Sequence, residues 1–248
     1  MLTKPNCKTN KLHTAWIIVL SIIFTAYTCS RSIIKYLMGN TNRAWVDEMI
    51  QAWANRILKL VKVNYIVINP SGSEPKQNKP TVIMCNHSSV YDIPLSFKAF
   101  PKHSIRMLAK KEFSRVPIMA GGMKAAEFLF IDRKNRQQAM RDLIAVKKLM
   151  ESGIVIWIAP EGTRSKDGKL APFKKGCFIT AIEAKATIIP IGIRGAYNIL
   201  PARTTAFNLN QHAEIHIGEA IDAAQYTKDD LVKVVYKSIA NLLAVPIN

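Results

Sequence analysis

Hydrophobic positions fall into three textures along the chain. The first is the run from Thr14 to Ser30 (TAWIIVLSIIFTAYTCS), which carries no charge and is flanked by Lys8, Lys11, Arg31 and Lys35. Seventeen helical residues span ~25 Å, short of a ~30 Å hydrocarbon core. Because Arg31 and Lys35 can snorkel, the run predicts a tilted or half-inserted helix. After Gly39-Asn40, the residues Trp45, Met49, Trp53 and Ile57 recur every four positions beside Val46, Ile50, Ala54 and Leu58. That spacing predicts a second helix with a wide apolar stripe, which either packs on a core or lies with the first in a membrane interface.

From Val63 onward short β-type runs alternate with helical segments. Strands are expected at residues 63–68, 81–85, 105–109, 128–131, 154–159, 187–193 and 213–217, and helices near residues 93–99, 137–151, 176–185 and 228–244. Pro190 lies inside one apolar run and predicts an edge or bulge position there. The alternation predicts a single α/β domain with a largely parallel or mixed sheet covered by helices. The change of texture places a boundary between an N-terminal membrane-associated segment, 1–62, and an α/β domain, 63–248.

Charge extends the picture. With 35 Lys and Arg against 17 Asp and Glu, the formal net charge is +18. A surface this basic meets phosphate, on nucleic acid, anionic lipid or a phosphorylated substrate. No acidic residue precedes Asp47, so the N-terminal arm suits an anionic cytoplasmic leaflet. The four cysteines are scattered without C-x-x-C spacing, which argues against a zinc site or a disulfide framework and fits a reducing, cytosol-facing domain. Ala26-Tyr27-Thr28-Cys29 makes a poor cleavage site, so a retained anchor is expected rather than a secretory signal.

Chemistry-bearing residues gather at the ends of expected strands. The run Thr81–Cys85 is followed by Asn86-His87-Ser88-Ser89-Val90-Tyr91-Asp92. A His leaving a buried strand points into the crevice where open α/β sheets bind ligands, and Asp92 would hold its tautomer. Alone, His-x-x-x-x-Asp is more often an ordinary polar loop. Arg133 follows the 128–131 run, where a guanidinium can fork onto phosphate oxygens. The 154–159 run ends in Pro160-Glu161-Gly162-Thr163-Arg164-Ser165: Pro160 stops the strand, Gly162 permits close backbone approach, and Thr163 and Arg164 offer donors to an anion. Glu161 would orient the Arg or bind a substrate hydroxyl. Lys174 and Lys175 add cations at a helix start.

Taken together, these ordered blocks resemble the glycerolipid acyltransferase family of the 1-acylglycerol-3-phosphate acyltransferase type. The N-H-x-x-x-x-D block matches Asn86 to Asp92, the F-x-x-R block Phe130 to Arg133, the P-E-G-T-R-S block Pro160 to Ser165, and the apolar block with an internal Pro Ile188 to Ile193. Ala159 stands where the family usually carries Phe. The resemblance implies an α/β core behind a helical membrane motif, with His87 as general base and Asp92 as its partner. It implies that Arg133, Glu161, Gly162, Thr163, Arg164 and Lys110 hold the acceptor's phosphate and glycerol. It also implies acyl transfer from acyl-CoA or acyl carrier protein to the free hydroxyl of 1-acyl-sn-glycerol 3-phosphate, giving phosphatidic acid, with no metal and no cofactor beyond that thioester co-substrate.

The expected partners are therefore membrane lipids on an anionic bilayer surface, with the catalytic domain on the cytosolic face of the inner membrane. Nucleic acid is not expected, since no aromatic-interleaved basic strand or zinc finger is present. A hydrolase lacks its H-E-x-x-H or G-x-S-x-G signature. Two alternatives stay open: another lysolipid or glycerol 3-phosphate as acceptor, and a non-enzymatic basic membrane-binding protein. His103 and His216 could be imagined as metal ligands with His87, though scattered His residues more often fill surface or core.

Overall fold

Every residue of Thr81–Cys85 is buried, as an apolar β-branched run must be when both faces of its sheet are covered. The computed structural model describes residues 7–131 and 136–244. In chain order it contains β1 (Cys7–Lys8), α1 (Lys11–Leu37), α2 (Arg43–Leu60), β2 (Asn64–Ile68), β3 (Thr81–Cys85), α3 (Asp92–Ala99) and β4 (Ile105–Lys110). A 3₁₀ turn (Lys111–Arg115), α4 (Pro117–Ala125), β5 (Leu129–Ile131), α5 (Arg136–Glu151), β6 (Val155–Ile158) and α6 (Gly176–Glu183) follow. The chain closes with β7 (Thr187–Arg194), α7 (Ala196–Ile199), β8 (Asn208–Leu209), β9 (His212–Ile217), β10 (Ile221–Asp222) and α8 (Lys228–Ala244).

The main sheet has the order β2-β9-β7-β3-β6-β4-β5, with β10 paired to β7. Strands β7, β3, β6, β4 and β5 are parallel, while β9 runs antiparallel to β7 and carries β2 with it, so the sheet is mixed as expected. Alternate residues of each strand feed two cores. Ile83, Cys85, Met107, Trp157 and Ile191 face α2 and α3, whereas Val82, Met84, Ile156 and Ile188 face α5, α6 and α8.

Pro190 departs from the expectation of an edge. β7 is internal, paired with β3 on one side and with β9 and β10 on the other. The missing donor is tolerated because Pro190 sits at the junction between those two short partners, past β9 at Gly218, whose N–H donates to the Pro190 carbonyl (2.9 Å).

The boundary expected at residue 62 also needs correction. Val46, Met49, Ile50, Ala54, Ile57 and Leu58 of α2 are buried, most of them in the same core as β3. Asp47 of α2 pairs with the fully buried Arg106 of β4 (2.7 Å), and Arg43 is forked onto Glu127 at the end of α4 (both bonds 2.8 Å). A buried guanidinium left without its carboxylate is costly, so α2 is a wall of the α/β domain rather than half of a separate motif. Only α1 is long and apolar enough to cross a membrane among the described residues. Even α1 is held by the fold, because it packs along α4, where Gly122 has no room for a side chain: a Cβ there would lie 2.4 Å from that of Cys29.

Lys98 of α3 is buried against α2 and donates to the Gln51 carbonyl (3.2 Å) and Oε1 (2.7 Å), with no carboxylate in those bonds. Burial lowers its pKa from 10.5 to about 8. Between those values the unfolded chain binds more protons than the folded one, so this residue's contribution to stability rises with pH over that window. Thermal midpoints between pH 8 and pH 10 should therefore climb more steeply in the wild type than in Lys98→Met. A wild-type profile no steeper than the variant's would contradict this.

Candidate functional site

Adjacent strands β3 and β6 send their chains to opposite faces of the sheet, β3 to α3 in one core and β6 to α6 in the other. Their C-terminal ends therefore open a crevice at a topological switch point, where open α/β sheets bind ligands. His87 enters it from β3, and the Pro160–Ser165 turn enters it from β6. Lys110 ends β4 at the same edge of the sheet and is exposed.

His87 is fixed by its neighbours at both ring and backbone. Its Nδ1 lies 2.9 Å from Asp92 Oδ2, and that same oxygen accepts the backbone N–H groups of Ser88 (2.7 Å) and Ser89 (2.8 Å). Asp92 is 0 % exposed, and its Oδ1 has no hydrogen-bond partner among the described residues. Val90 and Tyr91 form the turn that brings residue 92 back to residue 87, and Asp92 opens α3, where a negative charge suits the helix N-terminus. A carboxylate facing Nδ1 keeps the proton there and leaves Nε2 as the basic nitrogen, on a side chain 17 % exposed. The ring stands edge-on to Trp157 of β6 (centroids 5.9 Å apart), whose indole N–H donates to Ser96 Oγ (2.7 Å).

Glu161 is placed differently from the reading of it as an Arg-orienting or substrate-binding group. Its Oε1 accepts the N–H of His87 (2.6 Å) and its Oε2 that of Ala171 (2.9 Å), at 4 % exposure. Burial pushes its carboxyl up from the usual range, against the opposing pull of those two backbone bonds. The Ser165 N–H meanwhile donates to the His87 carbonyl (2.7 Å), so the backbone of His87 is held from both sides by the β6 turn. Asn86 holds the strand exit from the other flank: its amide donates to the Ile193 carbonyl (2.9 Å) and accepts from the Ile193 N–H (2.8 Å) on β7. Sequence spacing gives no sign of these bonds, which join residues 74 and 107 positions apart.

Gly162 takes a φ of +75°, which favours glycine, and the Lys174 side chain lies over it, 3.0 Å from where a Cβ would stand. That contact brings Lys174 to the turn. Thr163 is exposed and Arg164 half-buried, and neither makes a hydrogen bond among the described residues. Arg133 lies outside the described residues. Cys85, behind the dyad, is fully buried with its thiol pushed well up by burial, which makes it a poor nucleophile. His216 is bonded to Glu214 (2.7 Å) on β9, where it pairs with Gly192 two strands away from β3, and His103 precedes β4 at the far end of the sheet, so neither joins the His87–Asp92 pair.

In Glu161→Gln an amide NH₂ must face one of the two backbone N–H groups. The expected cost is ~1–3 kcal/mol in urea unfolding. An unchanged midpoint would mean that the carboxylate does not hold these groups.

Residues 67–194 match the Acyltransferase family. Among relatives, the 1-acyl-sn-glycerol-3-phosphate acyltransferase of Saccharomyces cerevisiae is 30% identical over 163 residues, 64% of this chain and 53% of that protein. Its namesake from Cocos nucifera is 34% identical over 143 residues, 57% of this chain and 45% of its own. The chain thus spans about half the length of these relatives. A crystal structure of the 1-acyl-sn-glycerophosphate acyltransferase PlsC from Thermotoga maritima shares the fold, with a TM-score of 0.74 at 19% identity over 93% of this chain and 94% of that one. Since the family match runs from β2 to the end of β7 and encloses the His87–Asp92 pair, Lys110 and the Glu161–Arg164 turn, the chain belongs to the Acyltransferase family.

Proposed function

We propose that this protein transfers a fatty acyl group from an acyl thioester, acyl-CoA or acyl carrier protein, to the free hydroxyl of 1-acyl-sn-glycerol 3-phosphate, giving phosphatidic acid. The observation that carries the reading is the His87 ring, bonded through Nδ1 to a fully buried carboxylate with Nε2 left basic in the crevice. The relatives' names favour lysophosphatidic acid as acceptor.

His87 Nε2 takes the proton of the acceptor hydroxyl as its oxygen attacks the thioester carbonyl. Asp92 stabilises the imidazolium that forms. The tetrahedral intermediate collapses by expelling the thiolate, which leaves as the thiol after recovering a proton, and no acyl-enzyme forms. Backbone donors beside the dyad are the obvious source of oxyanion stabilisation, yet the N–H groups of His87, Ser88, Ser89 and Ser165 are all engaged inside the protein. In the β6 turn the N–H groups of Glu161, Thr163 and Arg164 have no partner among the described residues, and we assign those of Thr163 and Arg164, beside the half-buried Arg164 guanidinium, to the substrate's anionic oxygens. The Arg164 guanidinium, Lys110 and Arg133 supply charge for the acceptor phosphate, and Gly162 lets the turn approach it closely. Glu161 acts as a positioning residue through the backbone of His87. No metal or resident cofactor enters this scheme.

The exposed apolar residues of α1 support attachment in the plane of a membrane. Leu12, Trp16, Val19, Ile23, Tyr27 and Ile34 recur at intervals of three, four and seven, forming one stripe along the helix that the exposed Ile22 widens at its flank, while Ile17, Cys29 and Ser32 are buried away from it. Hydroxyls that would be costly in lipid are bonded back to the helix, as in Ser21 to Ile17 O (2.7 Å) and Thr25 to Ser21 O (2.8 Å). A helix tied to α4 along one side and apolar along the other lies in the interface rather than across the bilayer. We place that interface at the cytoplasmic leaflet, where anionic lipid complements the basic chain.

A panel of labelled lyso-acceptors against both thioester donors tests the activity, and transfer to none of them by folded protein would refute it. His87→Ala is expected to lower kcat by ~10²-fold or more with acceptor binding largely kept; near-wild-type turnover in a folded variant would remove His87 as base. Arg164→Ala is expected to raise the acceptor KM, and an unchanged KM would count against a phosphate contact there.

A further inference from the structure

After Lys110 the chain leaves the catalytic edge of the sheet through the Lys111–Arg115 turn and enters α4. Phe113, Val116 and Ile118 in this segment are 47%, 49% and 50% exposed. Single exposed apolar residues are ordinary, but three within six positions, one of them Phe, form a patch that needs an occupant.

Two observations identify it. The first is continuity with α1. Both α1 and α4 run away from the catalytic edge: α1 starts where Thr9 bonds to Phe207 beside β8, α4 starts just beyond Lys110, and the far ends of α4 and of the α1–α2 pair meet at the Arg43–Glu127 fork. Gly122 of α4 rests on Cys29 of α1. Ile118, one turn or ~6 Å nearer the edge than Gly122, is thus level with the part of α1 that exposes Ile22, Ile23 and Tyr27. The second is charge. Lys110, Lys111 and Arg115 outnumber Glu112, so the apolar side chains sit in a locally basic segment. Apolar side chains ringed by basic ones match the interface of an anionic bilayer.

Resting on the interfacial placement of α1 proposed above, we infer that Lys110–Ile118 is a second membrane-contacting element, which inserts Phe113, Val116 and Ile118 among the headgroups of an anionic bilayer beside α1. The same segment begins with Lys110 at the crevice. Its insertion sets the mouth of the crevice against the lipid surface, so a lysolipid can present its phosphate and hydroxyl to the site while its acyl chain stays in the membrane.

An environment-sensitive fluorophore on the full-length chain tests this without requiring catalysis. In a background with Cys7→Ser and Cys177→Ser, a nitrobenzoxadiazole label is placed through Phe113→Cys, with Lys233→Cys on α8, across the sheet, as control. On phosphatidylglycerol vesicles the label at 113 is expected to shift to the blue and to be quenched by spin-labelled lipid, and the label at 233 to do neither. A label at 113 that keeps its aqueous emission on vesicle-bound protein would overturn the inference. In the kinetic arm, the combined variant F113S/V116S/I118S should raise KM on the order of tenfold for lysolipid presented in vesicles, leaving KM unchanged for a short-chain monomeric lysolipid. An equal rise for both would point to a structural defect and overturn membrane contact. Because the fluorescence arm needs no turnover, its failure is distinct from failure of the proposed activity.

Discussion

A single carboxylate oxygen organises the crevice at the C-terminal ends of β3 and β6. Asp92 Oδ2 gathers the His87 ring and the N–H groups of Ser88 and Ser89 in a place closed to water, so the turn between β3 and α3 folds around it. Removing that acceptor would strand two buried backbone donors as well as free the imidazole, which is why the residue that tunes the ring also shapes the loop that carries it. The β6 turn repeats the device with Glu161, whose two oxygens hold His87 N–H and Ala171 N–H, while Ser165 closes the other side of the His87 backbone. Preorganisation thus comes from buried acceptors on backbone donors, which fix the backbone beneath the imidazole.

The same logic joins the N-terminal helices to the site. The Asp47–Arg106 and Arg43–Glu127 pairs link α2 to β4 and to the end of α4, and the Gly122–Cys29 contact seats α1 on α4. Residues that read as a separable membrane arm are therefore built into the frame that holds His87. The exposed apolar stripe of α1 and the strand-end crevice keep a fixed relation, which the proposed reaction at a bilayer surface would require.

Much of the main sheet is legible in the sequence, because strands buried on both faces must be short apolar runs and the helices between them carry a 3.6-residue period. The elements that escape are those whose cause is long-range. α4 is disguised by Gly121-Gly122, which make sense only against α1. The two-residue strands β1, β8 and β10 are too short to leave a period. Arg106 looks like a surface cation within a strand, since its partner Asp47 lies 59 residues away. For the site, strand-end position and residue type single out His87, Asp92 and the Pro160–Ser165 turn. They cannot reveal that Glu161 uses both oxygens on the backbone, that Asn86 is spent on Ile193, or that Trp157 walls the imidazole. Those roles appear only when β3, β6 and β7 lie side by side.

The most direct test of the buried Asp92 carboxylate as the group that makes His87 a base is steady-state acyl transfer by Asp92→Asn, with circular dichroism to establish folding. The amide oxygen can still accept the Ser88 and Ser89 N–H groups, so the loop is retained while the charge that stabilises the imidazolium is lost. A folded variant whose kcat is lower by ~10²-fold or more is the expected result. A folded Asp92→Asn protein that turns over at the wild-type rate would contradict it.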